Sequence, residues 1–407
     1  STGSLYLLFR KFYRSIISIK LICQVKNILF FYITIPIMLT FSINHINKLI
    51  FPVLYSILIL FLYLLFSCNF NYTTLFFQIG FIKHDYWGVF LFLLILSNKR
   101  FFQIKNLETF VVWVLIGLSL LGILQFLFSD ISNYFTIDLS EFGGKTSKFI
   151  NIKKVTGIFI NPANFGNLLS IIIIYILGLL FLLTKNNKKL YLIGIFLGLI
   201  TIMLTGVRTS IFSLLIGITL VFYLYNKRWF FLFTLISVIF YLIFWNPLID
   251  IGKNYSNEES FETPIARIMN SLYVAENEGV QDATTLKVSS ILLDEFYKSP
   301  LIGTRSNVEW LEEYSVTDAF LLYHIVQIGL IGLLLLLFPY IYFLRKYYVY
   351  RNIKILLVIF IVLLIQTITD QGLFSRYSNI FFWLIFASTI IKHEYETAYL
   401  EDNIKPN

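Results

Sequence analysis

Runs of about twenty apolar residues, closed off by small groups of Lys and Arg, recur along almost the whole of this 407-residue chain. A run of that length spans the hydrocarbon core of a bilayer as a helix. In lipid, backbone polar groups must be satisfied within the protein, so a chain built from such runs folds as a helical bundle. Composition agrees, with 58% hydrophobic and 14% charged residues, against about 45–50% and about 25% in a soluble domain. A soluble globular enzyme and a disordered chain are both excluded.

The apolar runs place candidate spans near 27–43, 49–68, 84–97, 108–128, 156–183, 190–206, 209–225, 229–246, 318–343, 354–373 and 377–392. The expectation is an all-α polytopic membrane protein of about 10–12 spanning helices with one large external loop. Residues 1–4 read as a tag scar. Residues 5–26 carry Arg10, Lys11, Arg14 and Lys20 among Leu, Phe and Ile, the pattern of an amphipathic helix lying in the interface. The remaining expected units are a bundle over 27–246, an external partly helical loop over 247–317, further spans over 318–392 and a cytoplasmic tail from 393 to 407.

Cations in the short connections set the orientation. Lys99, Arg100 and Lys105, then Lys185, Lys188 and Lys189, then Lys227 and Arg228, then Arg345, Lys346, Arg351 and Lys354 fall on one side, which is read as cytoplasmic. The net charge of +9 is assigned to these lysines and arginines rather than to nucleic-acid binding. The opposite side receives 129–155, the Gly206–Ser210 turn, the 247–317 segment and the 374–376 turn. The 247–317 segment holds twelve acidic and five basic residues, as suits an external face. Within it, 285–298 has helical period and stops at Ser299-Pro300. Eleven spans with an internal C-terminus would leave the cationic N-terminus outside, which conflicts with its charge.

Charges near membrane depth are the informative residues in such a chain. Arg208 follows Thr205-Gly206-Val207 where one helix ends and another begins. It is either an interfacial cation or, with the next helix's N-terminal amides, an anion site suited to phosphate. Asn161-Pro162-Ala163-Asn164 breaks a hydrophobic run and predicts a kinked or broken helix entrance that lines a cavity or is buried. Lys145, Lys148, Lys153 and Lys154 precede it on the external side; they form a solvated loop or face a polyanionic head group. Asp318 opens a long span, as a helix cap or as a carboxylate placed for proton abstraction. Tyr323 and His324 follow it, the latter a buried core residue or a proton acceptor. Arg267, Arg305 and Arg376 are further external arginines.

Other chemistries lack their residues. Gly143-Gly-Lys-Thr146 has the tail of a phosphate-binding loop, but Leu139 stands where its first Gly belongs, and the loop is external. Cys23 and Cys68 form no metal or disulfide pattern. Neither HExxH nor a Cys/His cluster occurs, and no cofactor or metal is expected.

The polar clusters resemble, in order and sidedness, those of the bacterial O-antigen ligase/polymerase superfamily. Gly157-Ile-Phe-Ile-Asn-Pro-Ala-Asn164 is similar to its G-x-F-x-N-P-N, and Leu204-Thr-Gly-Val-Arg208-Thr-Ser to its T-G-S-R-G. Ser299-Pro-Leu-Ile-Gly303 is similar to its P-L-x-G-x-G, and Asp318-Ala-Phe-Leu-Leu-Tyr with Gly329-Leu-Ile-Gly332 completes the pattern over roughly residues 108–343. The family's ligases carry a His-Asn pair eleven residues before that glycine, where this chain has Asp318 and Ala319. The departure favours the Wzy-type polysaccharide polymerases.

The resemblance implies a GT-C-like glycosyltransferase in the bacterial inner membrane, active at its external face. It would join undecaprenyl-pyrophosphate-linked oligosaccharides, which serve as donor and acceptor, into O-antigen or capsular polysaccharide. It gives Arg208, with Arg267, Arg305 and Arg376, the lipid pyrophosphate, and Asp318 or His324 the acceptor proton. Asn161, Asn164, Tyr323 and the four lysines would line the substrate, and a chain-length regulator is a further partner it allows. A ligase delivering glycan to another acceptor and a non-enzymatic glycolipid transporter are the competing readings.

Overall fold

The computed structural model describes residues 47–67, 88–96, 107–128, 155–159, 161–182, 188–256, 283–303, 320–348, 353–369 and 372–404. Every regular element among them is helical. We number them α1 (Asn47–Ser67), α2 (88–96), α3 (Leu107–Leu127), α4 (Pro162–Leu182), α5 (Lys188–Thr205), α6 (Arg208–Tyr225), α7 (Lys227–Ser256), α8 (Ala283–Lys298), α9 (Phe320–Tyr347), α10 (Ile353–Thr369) and α11 (Arg376–Ile404). A 3-10 turn at Gly372–Phe374 joins the last two.

Five of these are long and apolar enough to cross a bilayer: Leu107–Leu127, Pro162–Leu182, Lys188–Thr205, Arg208–Tyr225 and Leu321–Tyr347. Phe51–Leu64 and Ile353–Ile368 are shorter apolar helices. By length and apolarity this is a multi-pass membrane protein. The expected 27–43 span and the interfacial helix over 5–26 lie outside the described residues.

The hub is α4. Ile171, Ile172, Ile173, Ile174 and Ile176 are all fully buried, so the helix is apolar on every side because other helices surround it. It packs against α3, α5, α6, α10 and α11. Outer helices show the opposite pattern: Phe231, Leu235, Leu242 and Ile243 of α7 are exposed, an apolar surface of the kind that faces lipid or another protein.

Several expected boundaries shift. The span expected over 156–183 begins at Pro162, because 155–159 is non-helical. Residues 88–96 are helical inside the expected 84–97 span, but Phe92 and Leu93 are fully buried. The Phe92 ring packs 4.6 Å from Phe343 and 4.8 Å from Trp383, so α2 is apolar because it is core. Helix α7 continues past the boundary expected at 246, through Pro247 to Ser256. Helix α11 runs through the expected tail boundary to Ile404, and α8 starts at Ala283.

The expected 318–343 span is two helices. At Gly329 the backbone takes φ 68° and ψ 177°, a conformation essentially confined to glycine. The break leaves helix-end groups without intrahelical partners, and the Ser299–Gly303 stretch supplies them. Leu330 N–H donates to Pro300 O at 3.0 Å and Ile331 N–H to Leu301 O at 3.1 Å. The Tyr63 hydroxyl, on α1, lies 2.7 Å from Ile302 O and 2.8 Å from Ile328 O, as donor between the two carbonyls. The motif at 299–303 and the glycine at 329, far apart in sequence, are thus one structural unit.

Charge separates along the bundle. Lys188, Lys189, Lys227, Arg228, Arg345, Lys346 and Lys354 all lie at helix ends of one side. Lys392, sixteen residues into α11 and so about 24 Å from its start, pairs with Glu108 at 2.6 Å on that same side. The starts of α4, α6 and α11 lie at the opposite end.

Candidate functional site

Three helix starts meet at the end away from the lysines. Asn161 caps α4: its Oδ1 accepts from Ala163 N–H at 2.9 Å and its carbonyl from Phe165 N–H at 3.3 Å. Pro162 follows at the first helical position, where a missing N–H costs nothing. The Asn-Pro break read from the sequence is therefore a capped helix start. Ahead of it, Gln125 of α3 exchanges two hydrogen bonds with Gly157, at 2.6 and 2.8 Å. The 155–159 stretch is fixed this way over the bundle, with the Phe159 ring 4.5 Å from Tyr377 of α11.

Two bonds then tie the other starts to α4. Ser375, one residue before α11, donates to Asn164 Oδ1 at 3.2 Å. Ser210, in the first turn of α6, donates to Asn167 Oδ1 at 2.7 Å. Asn164 and Asn167 are three residues apart, one turn along the same face. Arg208 and Arg376, which begin α6 and α11, thus flank the first two turns of α4.

The start of α6 differs from that of α4. Gly206 takes φ 64° so the chain can reverse between α5 and α6. Thr205 Oγ1 donates to Ile202 O at 2.7 Å and accepts from Val207 N–H at 3.3 Å. Val207 holds the cap position in extended backbone and makes no side-chain cap bond. Uncapped first-turn amides carry the positive end of the helix dipole, and Arg208 stands exposed at that turn. Cation and dipole reinforce each other there, which suits an anion.

Beneath lies a buried polar layer. Gln366 of α10 donates to Ser170 Oγ at 2.7 Å and to Ser213 Oγ at 2.9 Å. All three, with Asn167 and Ser210, are fully buried. The layer fixes the register of α4, α6 and α10 directly below the meeting point.

The remaining expected residues divide. Tyr323 and His324 are buried in the first half of α9, with ring centroids 6.0 Å apart. Tyr323 and Val326 pack on Leu292, with Phe296, from α8. That first half lies beneath α8. Asp318, Arg267, Arg305, Lys145, Lys148, Lys153 and Lys154 lie outside the described residues. Among the described residues no group of His, Cys, Asp or Glu could hold a metal ion.

Sequence reading missed Tyr63, Gln125, Asn167, Ser210, Gln327, Gln366 and Ser375. The signal was available in part, since Gln125, Asn167, Gln327 and Gln366 are amides inside apolar runs, where polar side chains need partners.

No protein-family model, curated protein or solved structure matches the chain.

Proposed function

We propose that the protein is a polysaccharide polymerase acting on lipid-linked oligosaccharides, a Wzy-type glycosyltransferase with a GT-C-like bundle, working at the external face of the bacterial inner membrane. The observation that carries the reading is the meeting of the α4, α6 and α11 starts through Asn167–Ser210 and Asn164–Ser375. It brings two of the stretches that carry the family resemblance together at the end away from the lysines.

In this reading the start of α6 and Arg208 bind the diphosphate of an undecaprenyl-pyrophosphate-linked glycan. A hydroxyl of the incoming repeat unit attacks the anomeric carbon of the growing chain. The new glycosidic C–O bond forms as the C–O bond to pyrophosphate breaks. The hydroxyl proton passes to Asp318 or His324, and the charge left on the diphosphate is held by the arginines and the helix dipole. Charge stabilisation and positioning supply the catalysis.

Proteoliposomes containing the purified protein and an undecaprenyl-pyrophosphate-linked repeat unit test this. A ladder of glycolipids spaced by one repeat is expected, its amplitude cut at least about a hundredfold by Arg208→Ala, the scale of losing one preorganised charge contact. An unchanged single-repeat band from the wild type would overturn the reading.

A further inference from the structure

The amide of Gln327 is satisfied by nothing described around it. The residue is 3% exposed, and neither its oxygen nor its nitrogen has a hydrogen-bond partner among the described residues. An unpaired amide in the interior is unfavourable, whereas Met would fill the same volume without that cost. Gln327 stands two residues before the break at Gly329. Backbone broken at membrane depth is tolerated where it is buried in protein or lines a cavity. One turn back on the same face is Tyr323, packed with Val326 under Leu292 of α8. The 299–303 stretch lies against the backbone here, a Cβ at Gly303 falling 2.5 Å from Gln327 O, and the seam between it and α9 is closed by three hydrogen-bonding groups: the amides of Leu330 and Ile331 and the Tyr63 hydroxyl.

We propose that Gln327 is a sugar-reading residue whose unpaired donor and acceptor take a matching donor–acceptor pair on the glycan, adjacent hydroxyls or an acetamido group. The identity of that ligand rests on the polymerase reading. A carboxamide presents two N–H donors and one acceptor oxygen in a single plane, the complement of either arrangement. A site built in this way rejects a ligand lacking the pair, because its own buried groups then stay unpaired. The sugar reaches the amide when the 299–303 seam parts from α9. The unfavourable burial in the empty protein is the counterpart of selectivity in the filled one.

Gln327→Met separates this from a structural role. In detergent and without ligand, the Met protein is expected to unfold about 2 °C or more above the wild type, since an unpaired amide has been removed. Undecaprenyl-pyrophosphate-N-acetylglucosamine should bind it about tenfold more weakly, the value of two neutral hydrogen bonds, while bare undecaprenyl pyrophosphate binds as before. Gln327→Asn, which keeps the amide, should recover part of that loss. A Met protein that melts lower than the wild type, or that loses both lipids equally or neither, overturns the assignment of Gln327. If that happens while the wild type still makes its ladder, the polymerase reading stands. A wild type that binds neither lipid overturns both.

Discussion

At Gly329 one pair of dihedrals decides how α9 is built. With φ 68° and ψ 177°, a side chain would be strained there, and a Cβ would fall on the backbone of Leu301, Ile302 and Gly303. Gly329→Ala is expected to lower stability by about 1–3 kcal/mol, read as a fall in the apparent Tm in detergent. Gly117, on an exposed face of α3 with nothing near its would-be Cβ, is the control. Gly117→Ala should be neutral or raise stability by up to about 1 kcal/mol. Equal losses at both positions would contradict the account of the break. The sequence showed a Gly-Leu-Ile-Gly stretch at 329–332 but not its conformation, because apolar residues continue on both sides and hydropathy reads straight through. Asn161-Pro162 was legible as a disturbance and Thr205-Gly206 as a turn, since Pro, Gly and Asn restrict backbone locally. What Gln366 or Tyr63 would touch was not legible, since their partners lie more than 150 residues away.

Between elements, the least expected finding is that Tyr63 on α1 joins the 299–303 stretch to the divided α9. Tyr63→Phe keeps the ring and removes the shared hydroxyl donor. It should cost about 0.5–1.5 kcal/mol and speed hydrogen exchange at the Leu330 and Ile331 amides roughly fivefold. Unchanged exchange at those two amides would show that the seam holds without the hydroxyl. Hydropathy located most of the described helices, since lipid-facing and core-facing helices are both apolar. The same blindness applies at 84–97: a helix buried among Phe343, Trp383 and Phe386 reads like one facing lipid. It also explains why the ends of α7 and α11 were set short, since an α-helix continues beyond its apolar part when its backbone bonds allow.

On the scale of the whole molecule, the lysine-rich helix ends lie at one end and the α4, α6 and α11 starts at the other. If the lysine-rich end faces the cytoplasm, a cysteine at exposed Ile158 reacts with a membrane-impermeant maleimide in intact cells, whereas one at Asn226, between α6 and α7, does not. Cys23 and Cys68 would be replaced first. Labelling with the reverse preference would place the candidate site inside and remove any role with an external glycan. That the cations of the short connections gather at one end was legible from Lys and Arg alone. The meeting of helix starts was not, because it depends on Asn164 and Asn167 finding serines brought from α11 and α6.

The central claim is that the start of α6, with Arg208, binds the diphosphate of a prenyl carrier, and equilibrium binding of undecaprenyl pyrophosphate to the protein in nanodiscs tests it most directly. Loss of a charge-assisted contact is worth about 1.5–3 kcal/mol, so Arg208→Ala should raise Kd by at least about tenfold, and added salt should weaken wild-type binding more than that of the variant. The same Kd for both proteins would contradict the account.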